Sequence, residues 1–138
     1  MNYLTDTEAE YLLREAKATV QTSYSPYSAF AVGAAVQAQN GLVYRAANVE
    51  NASYSLTLCA ERIALGYAIA AGNKGIRAIA VYADVPTVTP CGACRQFIHE
   101  FGEHIVVVFF HNGEIVQKTI GELLPYGFSS RHMYEVGD

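Results

Sequence analysis

The 138-residue sequence has little of what defines several large classes of protein. Charged residues make up only 16%, and 9 Lys and Arg against 13 Asp and Glu leave a net charge of −4, which disfavours binding to a polynucleotide. Apolar runs such as Ile105 to Phe110 are far shorter than the roughly 20 residues that span a bilayer. The first residues lack the basic and apolar segments of a secretory signal. We therefore expect a cytoplasmic protein without nucleic-acid or membrane partners.

Cysteine is also scarce, whereas hydrophobic residues are plentiful. Hydrophobic residues reach 51%, which is too high for a disordered chain and sufficient for a core. A length of 138 residues predicts a single domain over residues 1–138. Three cysteines cannot all pair within one chain, and disulfides are unexpected in a reducing compartment. Thiolate chemistry or metal binding is therefore the favoured use of these cysteines.

Hydrophobic periodicity and turn signals divide the chain into alternating helices and strands. Apolar residues at helical spacing predict a first helix over about 7–22. A period-2 face beginning at Phe30, followed by Asn40-Gly41, predicts a hairpin, and Asn112-Gly113 predicts another. The resulting order is α-β-β-α-β-α-β-β-α. It predicts an α/β fold, a three-layer α/β/α sandwich with a five-stranded mixed sheet.

All three cysteines lie at predicted helix starts. Cys59 begins a helix that ends near residue 71, and Cys91 begins one that ends near residue 101. Cys91 and Cys94 lie about one helical turn apart, so both sulfur atoms can reach one metal ion. Cys59 and Glu61 would diverge on a regular helix. A metal centre that Cys59 shares with Cys91 and Cys94, with Glu61 beside it, must therefore lie beyond the N-terminal end of the helix. Unpaired backbone amides and the helix dipole favour thiolates at that end.

This cysteine set predicts a zinc site with an open position. Structural zinc sites usually have four protein ligands, so three thiolates leave one position for water. Zinc lowers the pKa of such a water to roughly 7, and Glu61 is the carboxylate placed to carry its proton. Arg62 is the nearest cation that could offset the thiolate charge. The alternative is a buried structural Cys59, a solvated Glu61 and a redox pair of Cys91 and Cys94. We favour the zinc site because both helix-start motifs together use every cysteine.

The ordered motifs resemble those of the small homotetrameric cytidine deaminases of pyrimidine salvage. The matching segments cover most of the chain, namely residues 26–35, 48–54, 59–62, 90–96 and 123–125 with Phe128. Many zinc deaminases carry His-x-Glu where this sequence has Cys59 and Glu61, a pattern similar to the all-cysteine branch that acts on free nucleosides. The sequence departs from the family at Ala46-Ala47, where glycine is often found.

The resemblance implies hydrolysis of cytidine and 2′-deoxycytidine to uridine and 2′-deoxyuridine, with release of ammonia. It implies one Zn²⁺ per subunit, bound by Cys59, Cys91 and Cys94, with Glu61 as the catalytic proton carrier and Arg62 stabilising the thiolates. It further implies a set of substrate contacts in a homotetramer. These are Phe30 against the base, the Ala60 amide on the base carbonyl, Asn48 and Glu50 on the ribose 3′-hydroxyl, and Tyr54 and Phe128 in a neighbouring subunit's pocket.

Several of these positions also have a purely structural interpretation. Asn48 is a residue that favours turns, and Glu50 could be a solvated loop charge. Phe30 on a strand face could be a core residue, Tyr54 could only pack, and Phe128 could only anchor the tail. Two functional alternatives stay open as well. One is a deaminase of a related aminopyrimidine nucleoside such as an antibiotic, and the other is a non-catalytic, zinc-stabilised binding module.

Overall fold

The computed structural model describes residues 3–130 and Met133, and the predicted domain over 1–138 extends beyond them at both ends. Within the described residues, the helices and strands follow the predicted order. The elements are α1 (Asp6–Ala18), β1 (Gly33–Ala38), β2 (Val43–Ala47), α2 (Ala60–Ala70), β3 (Ile76–Tyr82), α3 (Gly92–His99), β4 (Val106–His111), β5 (Glu114–Thr119) and α4 (Ile120–Leu123). Of the helices in this part of the chain, none is both long and apolar enough to cross a membrane.

The strands form one five-stranded sheet in the order β2-β1-β3-β4-β5. Strand β1 pairs antiparallel with β2 and β3, whereas β3 pairs parallel with β4 through the connection that contains α3. Strand β5 pairs antiparallel with β4. The predicted mixed sheet is therefore confirmed. Gly33 at the start of β1 pairs with Tyr82 at the end of β3. The loop before β1 and the loop after β3 therefore lie at the same end of these two strands.

Two apolar layers cover the two faces of the sheet. On one face, Leu12, Leu13 and Ala16 of α1 pack against alanine and valine side chains of the central strands, including Ala35. On the other face, residues of α2, α3 and α4 pack against Ala34 and its neighbours. Adjacent strand residues point to opposite faces, which is why Ala34 and Ala35 belong to different layers. This arrangement confirms the predicted three-layer α/β/α sandwich.

The start of β1 differs from its predicted start. The strand begins at Gly33, and Phe30 lies before it with 43% of its surface exposed, so the predicted strand face at Phe30 is wrong. A Cβ atom at Gly33 would lie 2.1 Å from the carbonyl oxygen of Ala16, which shows how closely α1 approaches this point. Ala46 and Ala47 are ordinary β2 residues without a positive φ, so the absence of glycine there does not distort the backbone.

Candidate active site

The sulfur atoms of the cysteines come together where two helices begin. Cys59 is the N-cap residue of α2, and Cys91 is the N-cap residue of α3. Cys94 lies in the first turn of α3 and is fully buried. The three sulfur atoms all lie within 4.8 Å of one another. The cluster therefore sits off both helix ends, as the spacing of Cys59 and Glu61 predicts.

The chemistry of this donor set fits zinc. Sulfur atoms bound to one zinc ion at about 2.3 Å lie roughly 3.8 Å apart in a tetrahedron, and the three sulfur atoms here lie within 4.8 Å of one another. Within the described residues, no other cysteine, histidine or carboxylate joins this cluster. The three cysteines can therefore hold a zinc ion and leave one coordination position for a small molecule, as a catalytic site requires.

The thiols of the cluster differ strongly in acidity. Hydrogen bonding from the Cys94 thiol and the adjacent Arg62 guanidinium lower the pKa of Cys59 to about 5. Hydrogen bonding to Cys59, together with burial and the Glu61 carboxylate, raises the pKa of Cys94. Zinc binds the thiolate form of cysteine, so thiol protons must be released on binding and zinc affinity falls as the solution becomes more acidic.

Arg62 is held against the thiolate by its position on α2. One of its guanidinium nitrogens, Nη2, lies 3.5 Å from the sulfur of Cys59 and 3.3 Å from the carbonyl oxygen of Thr57. The cation therefore offsets thiolate charge without being a ligand. The contact with Cys59 is present, and the stabilising role of Arg62 stays a prediction.

Glu61 is the second residue of α2, and only 4% of its surface is exposed. Burial is the main cause that raises the pKa of its carboxyl group, and the nearby Cys59 thiolate raises it further. Its own backbone amide and the Cys94 thiol oppose this shift. A carboxyl group with a raised pKa exchanges protons more readily near neutral pH, which suits a general acid and base.

A cavity of about 280 Å³ opens beside the cluster. Its lining includes most of the residues predicted from the sequence, namely Phe30, Asn48, Glu50, Cys59, Ala60, Glu61 and Cys91. This volume lies near the lower end of the roughly 300–1,000 Å³ found for small-molecule pockets. A larger cavity of about 570 Å³ lies by α1 and the β4–β5 hairpin, and its lining contains none of the predicted site residues. We therefore place the active site in the smaller cavity.

Asn48 is nine-tenths buried and ties three segments together. Its side-chain oxygen accepts hydrogen bonds from the Val32 amide at 3.0 Å and from the Ser23 hydroxyl. Its side-chain nitrogen donates to the carbonyl oxygen of Phe30 at 2.9 Å. A carboxamide nitrogen carries two hydrogens, so one N–H is available to a molecule in the cavity. Asn48 therefore links these segments beside the cavity, and its contact with a substrate stays a prediction.

Glu50 is bound to the turn that precedes Phe30. Its Oε1 atom accepts from the backbone amides of Tyr27 at 2.9 Å and Ser28 at 3.2 Å, and its Oε2 atom accepts from the Ser28 hydroxyl. These bonds, the Ser28 hydroxyl first, hold the pKa of Glu50 below its usual range. Glu50 is thus a fixed carboxylate, which argues against a merely solvated loop charge.

Two further predicted contacts also border the cavity. Ala60 is the fully buried first residue of α2, and amides at this position are not used by the hydrogen bonds of the helix. The ring of Phe30 belongs to neither face of the core and lines the cavity instead. An amide donor and an aromatic face are therefore available to a planar ligand.

Tyr54 and Phe128 are not brought into this cavity. Tyr54 is 75% exposed and contacts the ring of Tyr27 edge to face, with the ring centres 6.0 Å apart. Phe128 is 56% exposed, and its carbonyl oxygen accepts from the Gln96 side chain at 2.8 Å. Neither side chain lines the cavity beside the cluster of the same chain.

Some residues that shape the site were not predicted from the sequence. The Arg95 guanidinium donates to the carbonyl oxygen of Pro90 at 2.9 Å and to that of Leu123 at 3.0 Å, so it joins the turn before Cys91 to the end of α4. The Ser28 hydroxyl contacts Glu50. Both residues lie inside the segments that carry the resemblance. Leu123 lies 28 positions from Arg95, and Glu50 lies 22 positions from Ser28, so sequence spacing gave no signal for these two contacts.

The comparisons with known proteins agree with this geometry. The model of the family described as the cytidine and deoxycytidylate deaminase zinc-binding region matches residues 6–110. The chain belongs to this family. It is 45% identical over 129 residues to a cytidine deaminase of Halalkalibacterium halodurans, covering 91% of this chain and 98% of the relative. The predicted family, the predicted enzyme class and the predicted zinc cofactor are confirmed.

Two other relatives bear on the fold and on the substrate. The crystal structure of cytidine deaminase from Burkholderia pseudomallei is 42% identical with a TM-score of 0.83, covering 91% of this chain and all of that chain. A blasticidin-S deaminase of Bacillus cereus is 34% identical over 107 residues, covering 71% of this chain and 76% of the relative. Relatives of this chain are thus named for different substrates.

Proposed function

We propose that the protein hydrolyses cytidine and 2′-deoxycytidine to uridine and 2′-deoxyuridine, with release of ammonia. The observation that carries this proposal is the three-sulfur cluster with the buried Glu61 beside it, in a cavity that also contains Asn48 and Glu50. The cluster and Glu61 account for hydrolysis. Asn48 and Glu50 account for recognition of the sugar of a nucleoside.

Cys59, Cys91 and Cys94 would hold the zinc ion. Zinc in this position supplies a Lewis acid that makes a coordinated water more acidic. Glu61 accepts a proton from the water whose oxygen forms a bond to C4 of the pyrimidine, and delivers that proton to N3. Glu61 then takes the proton of the hydroxyl group now on C4 and delivers it to the amino group, so that the C4 carbonyl forms as the C–N bond breaks and ammonia leaves. The raised pKa of Glu61 allows its carboxyl group to hold the proton between the transfers.

The base is positioned by groups around Glu61. The Ala60 amide donates to the base carbonyl, and the ring of Phe30 packs on the face of the base. Arg62 stays outside the cavity and stabilises the thiolate of Cys59. In these assignments the Ala60 amide and the Phe30 ring orient the base, and the Glu61 carboxyl group transfers protons.

The sugar is recognised by the hydrogen-bonding groups of Asn48 and Glu50 that contacts within the protein do not use. The protein contacts leave one N–H on Asn48 and accepting capacity on Oε2 of Glu50. A single hydroxyl group can both accept the N–H and donate to the carboxylate, so the pair is complementary to the 3′-hydroxyl. That hydroxyl is present in ribose and in deoxyribose, so both nucleosides fit. A phosphate at this position would face the negative charge of Glu50.

The same proposal extends to the state of the enzyme in the cell. We assign residues 1–138 to one domain of a cytoplasmic, homotetrameric enzyme of pyrimidine salvage. Large apolar side chains on the surface support the assembly, with Tyr54 at 75%, Leu56 at 62%, Tyr67 at 57% and Phe128 at 56% exposure. Tyr54 and Phe128 do not line the cavity that contains Cys59 in their own chain, and we assign them to the corresponding cavity of a neighbouring subunit.

The proposal predicts zinc-dependent turnover that an ultraviolet assay can measure. Purified protein is expected to convert cytidine and 2′-deoxycytidine, to lose activity after treatment with a chelator, and to regain it when Zn²⁺ is added. Faster conversion of blasticidin S than of cytidine would favour the antibiotic alternative, which the Bacillus cereus relative suggests. Bound zinc without turnover of any cytosine compound would contradict the proposal and favour a binding module.

Replacing Arg62 with Gln is expected to lower kcat/KM about 10-fold to 100-fold while zinc stays bound, because a group that tunes the ligands is lost but no ligand is removed. Zinc analysis and steady-state rates measure the two effects separately. The matched control is Arg45→Gln, which removes an arginine that pairs with Glu15 at 3.5 Å on the surface. The control should stay within about twofold of the wild type because surface ion pairs contribute little. Unchanged kcat/KM in Arg62→Gln would contradict the role of Arg62.

A further inference from the structure

Ser28 connects two parts of the cavity that have different tasks. Its hydroxyl donates to Oε2 of Glu50, and the same oxygen accepts the backbone N–H of Phe30 at 3.0 Å. Its own backbone N–H donates to Oε1 of Glu50 at 3.2 Å. One residue thus joins the carboxylate to the backbone that carries the Phe30 ring.

Hydrogen bonds hold the turn around Ser28 in an unusual backbone conformation. Ala29 has a φ of 57°, in the left-handed region that residues other than glycine seldom adopt. Such a conformation persists when its surroundings fix it, and here Ala29 donates to the carbonyl oxygen of Ser25 at 3.0 Å while Ser28 is bound to Glu50. Phe30 lies outside both core layers. Its ring position therefore depends on the turn.

Ser28 also determines how Glu50 faces the cavity. Both accepting directions of Oε1 are used by the amides of Tyr27 and Ser28. A serine hydroxyl carries a single hydrogen, and Ser28 gives it to Oε2. The carboxylate is therefore bound at both oxygen atoms, and the capacity left on Oε2 is the part that a ligand hydroxyl can use.

We propose that Ser28 is a positioning residue that ties Glu50 to the turn of Phe30, so that recognition of the sugar hydroxyl and contact with the base depend on one side chain. This inference rests on the proposed nucleoside deamination and adds a residue to it. Ser28 acts through Glu50 and Phe30 and takes no part in proton transfer. Its loss should therefore weaken substrate binding more than it slows the chemical step.

The test is the Ser28→Ala variant, measured with cytidine and with 3′-deoxycytidine. With cytidine we expect kcat/KM to fall roughly 10-fold or more, mainly through a higher KM, because a hydrogen bond to a charged group is lost. With 3′-deoxycytidine we expect a clearly smaller fall, because that substrate has no 3′-hydroxyl for Glu50 to bind. Ser28→Thr keeps the hydroxyl and should restore kcat/KM for cytidine to within about threefold of the wild type.

Zinc content and the thermal unfolding midpoint are measured for each variant, and Ser28→Cys serves as a second variant of similar size should Ser28→Ala be poorly folded. A kcat/KM for cytidine within about twofold of the wild type would overturn the inference, as would an equal loss with both substrates. Wild-type protein that does not deaminate cytidine would overturn the proposed function itself. Normal wild-type turnover with an unaffected variant would overturn only the role of Ser28.

Discussion

Replacing Glu61 with Gln is expected to lower kcat by roughly 1,000-fold to 10,000-fold without loss of zinc. Glutamine has nearly the same size and can form hydrogen bonds, but it cannot accept a proton from water and return it to the base. Both proton transfers in the proposed reaction pass through this carboxyl group. Because Glu61 is not one of the cluster's ligands, the metal should stay in place. Zinc analysis and single-turnover rates on cytidine measure the two effects.

The matched control for this variant is Glu10→Gln, which makes the same chemical change on the exposed surface of α1. Its kcat should equal that of the wild type within about twofold, since exposed substitutions away from functional groups have small effects. Loss of zinc from Glu61→Gln would show that the carboxyl group contributes to metal binding. Activity above about a tenth of the wild type would contradict its assignment as the proton carrier.

Much of the site was predictable because its central groups are encoded locally. Cys91 and Cys94 lie one turn apart at a helix start, and Glu61 follows the N-cap Cys59 by two residues. These relations are set by helix geometry, which short segments determine. The order of elements was predictable for the same reason, since periodicity and turn signals are local. The meeting of the two helix starts was expected only because the chemistry of three thiolates requires one metal centre.

The less predictable features depend on contacts between distant segments. The order of the strands follows from packing that periodicity does not contain. Phe30 has the alternation of a strand residue, but it lies before the start of β1, where Asn48 binds its carbonyl oxygen and Glu50 binds the amide of Tyr27. The bond between Ser23 and Asn48 joins residues 25 positions apart in the sequence. Side-chain partners of this kind become visible only when the chain is folded.

Replacing Cys94 with Ala is expected to abolish deamination and to remove bound zinc. Cys94 is the fully buried member of the cluster, and its loss leaves two sulfur ligands, Cys59 and Cys91, for an ion that needs at least three protein ligands here. Because metal binding is coupled to folding, the thermal unfolding midpoint should fall as well. Zinc analysis, calorimetry and sedimentation velocity measure metal content, stability and assembly on the same sample.

The metal effect in this variant must be separated from the effect of removing a buried side chain. The control is Ile98→Val, which shortens a fully buried residue of the same helix and should cost about 1 kcal/mol of stability while zinc and activity are kept. Zinc-free wild-type protein is the second reference. If the cluster binds zinc as proposed, Cys94→Ala and the zinc-free wild type should unfold at similar temperatures, and added Zn²⁺ should stabilise only the wild type. Full zinc occupancy in Cys94→Ala would show that the ligand set is wrong.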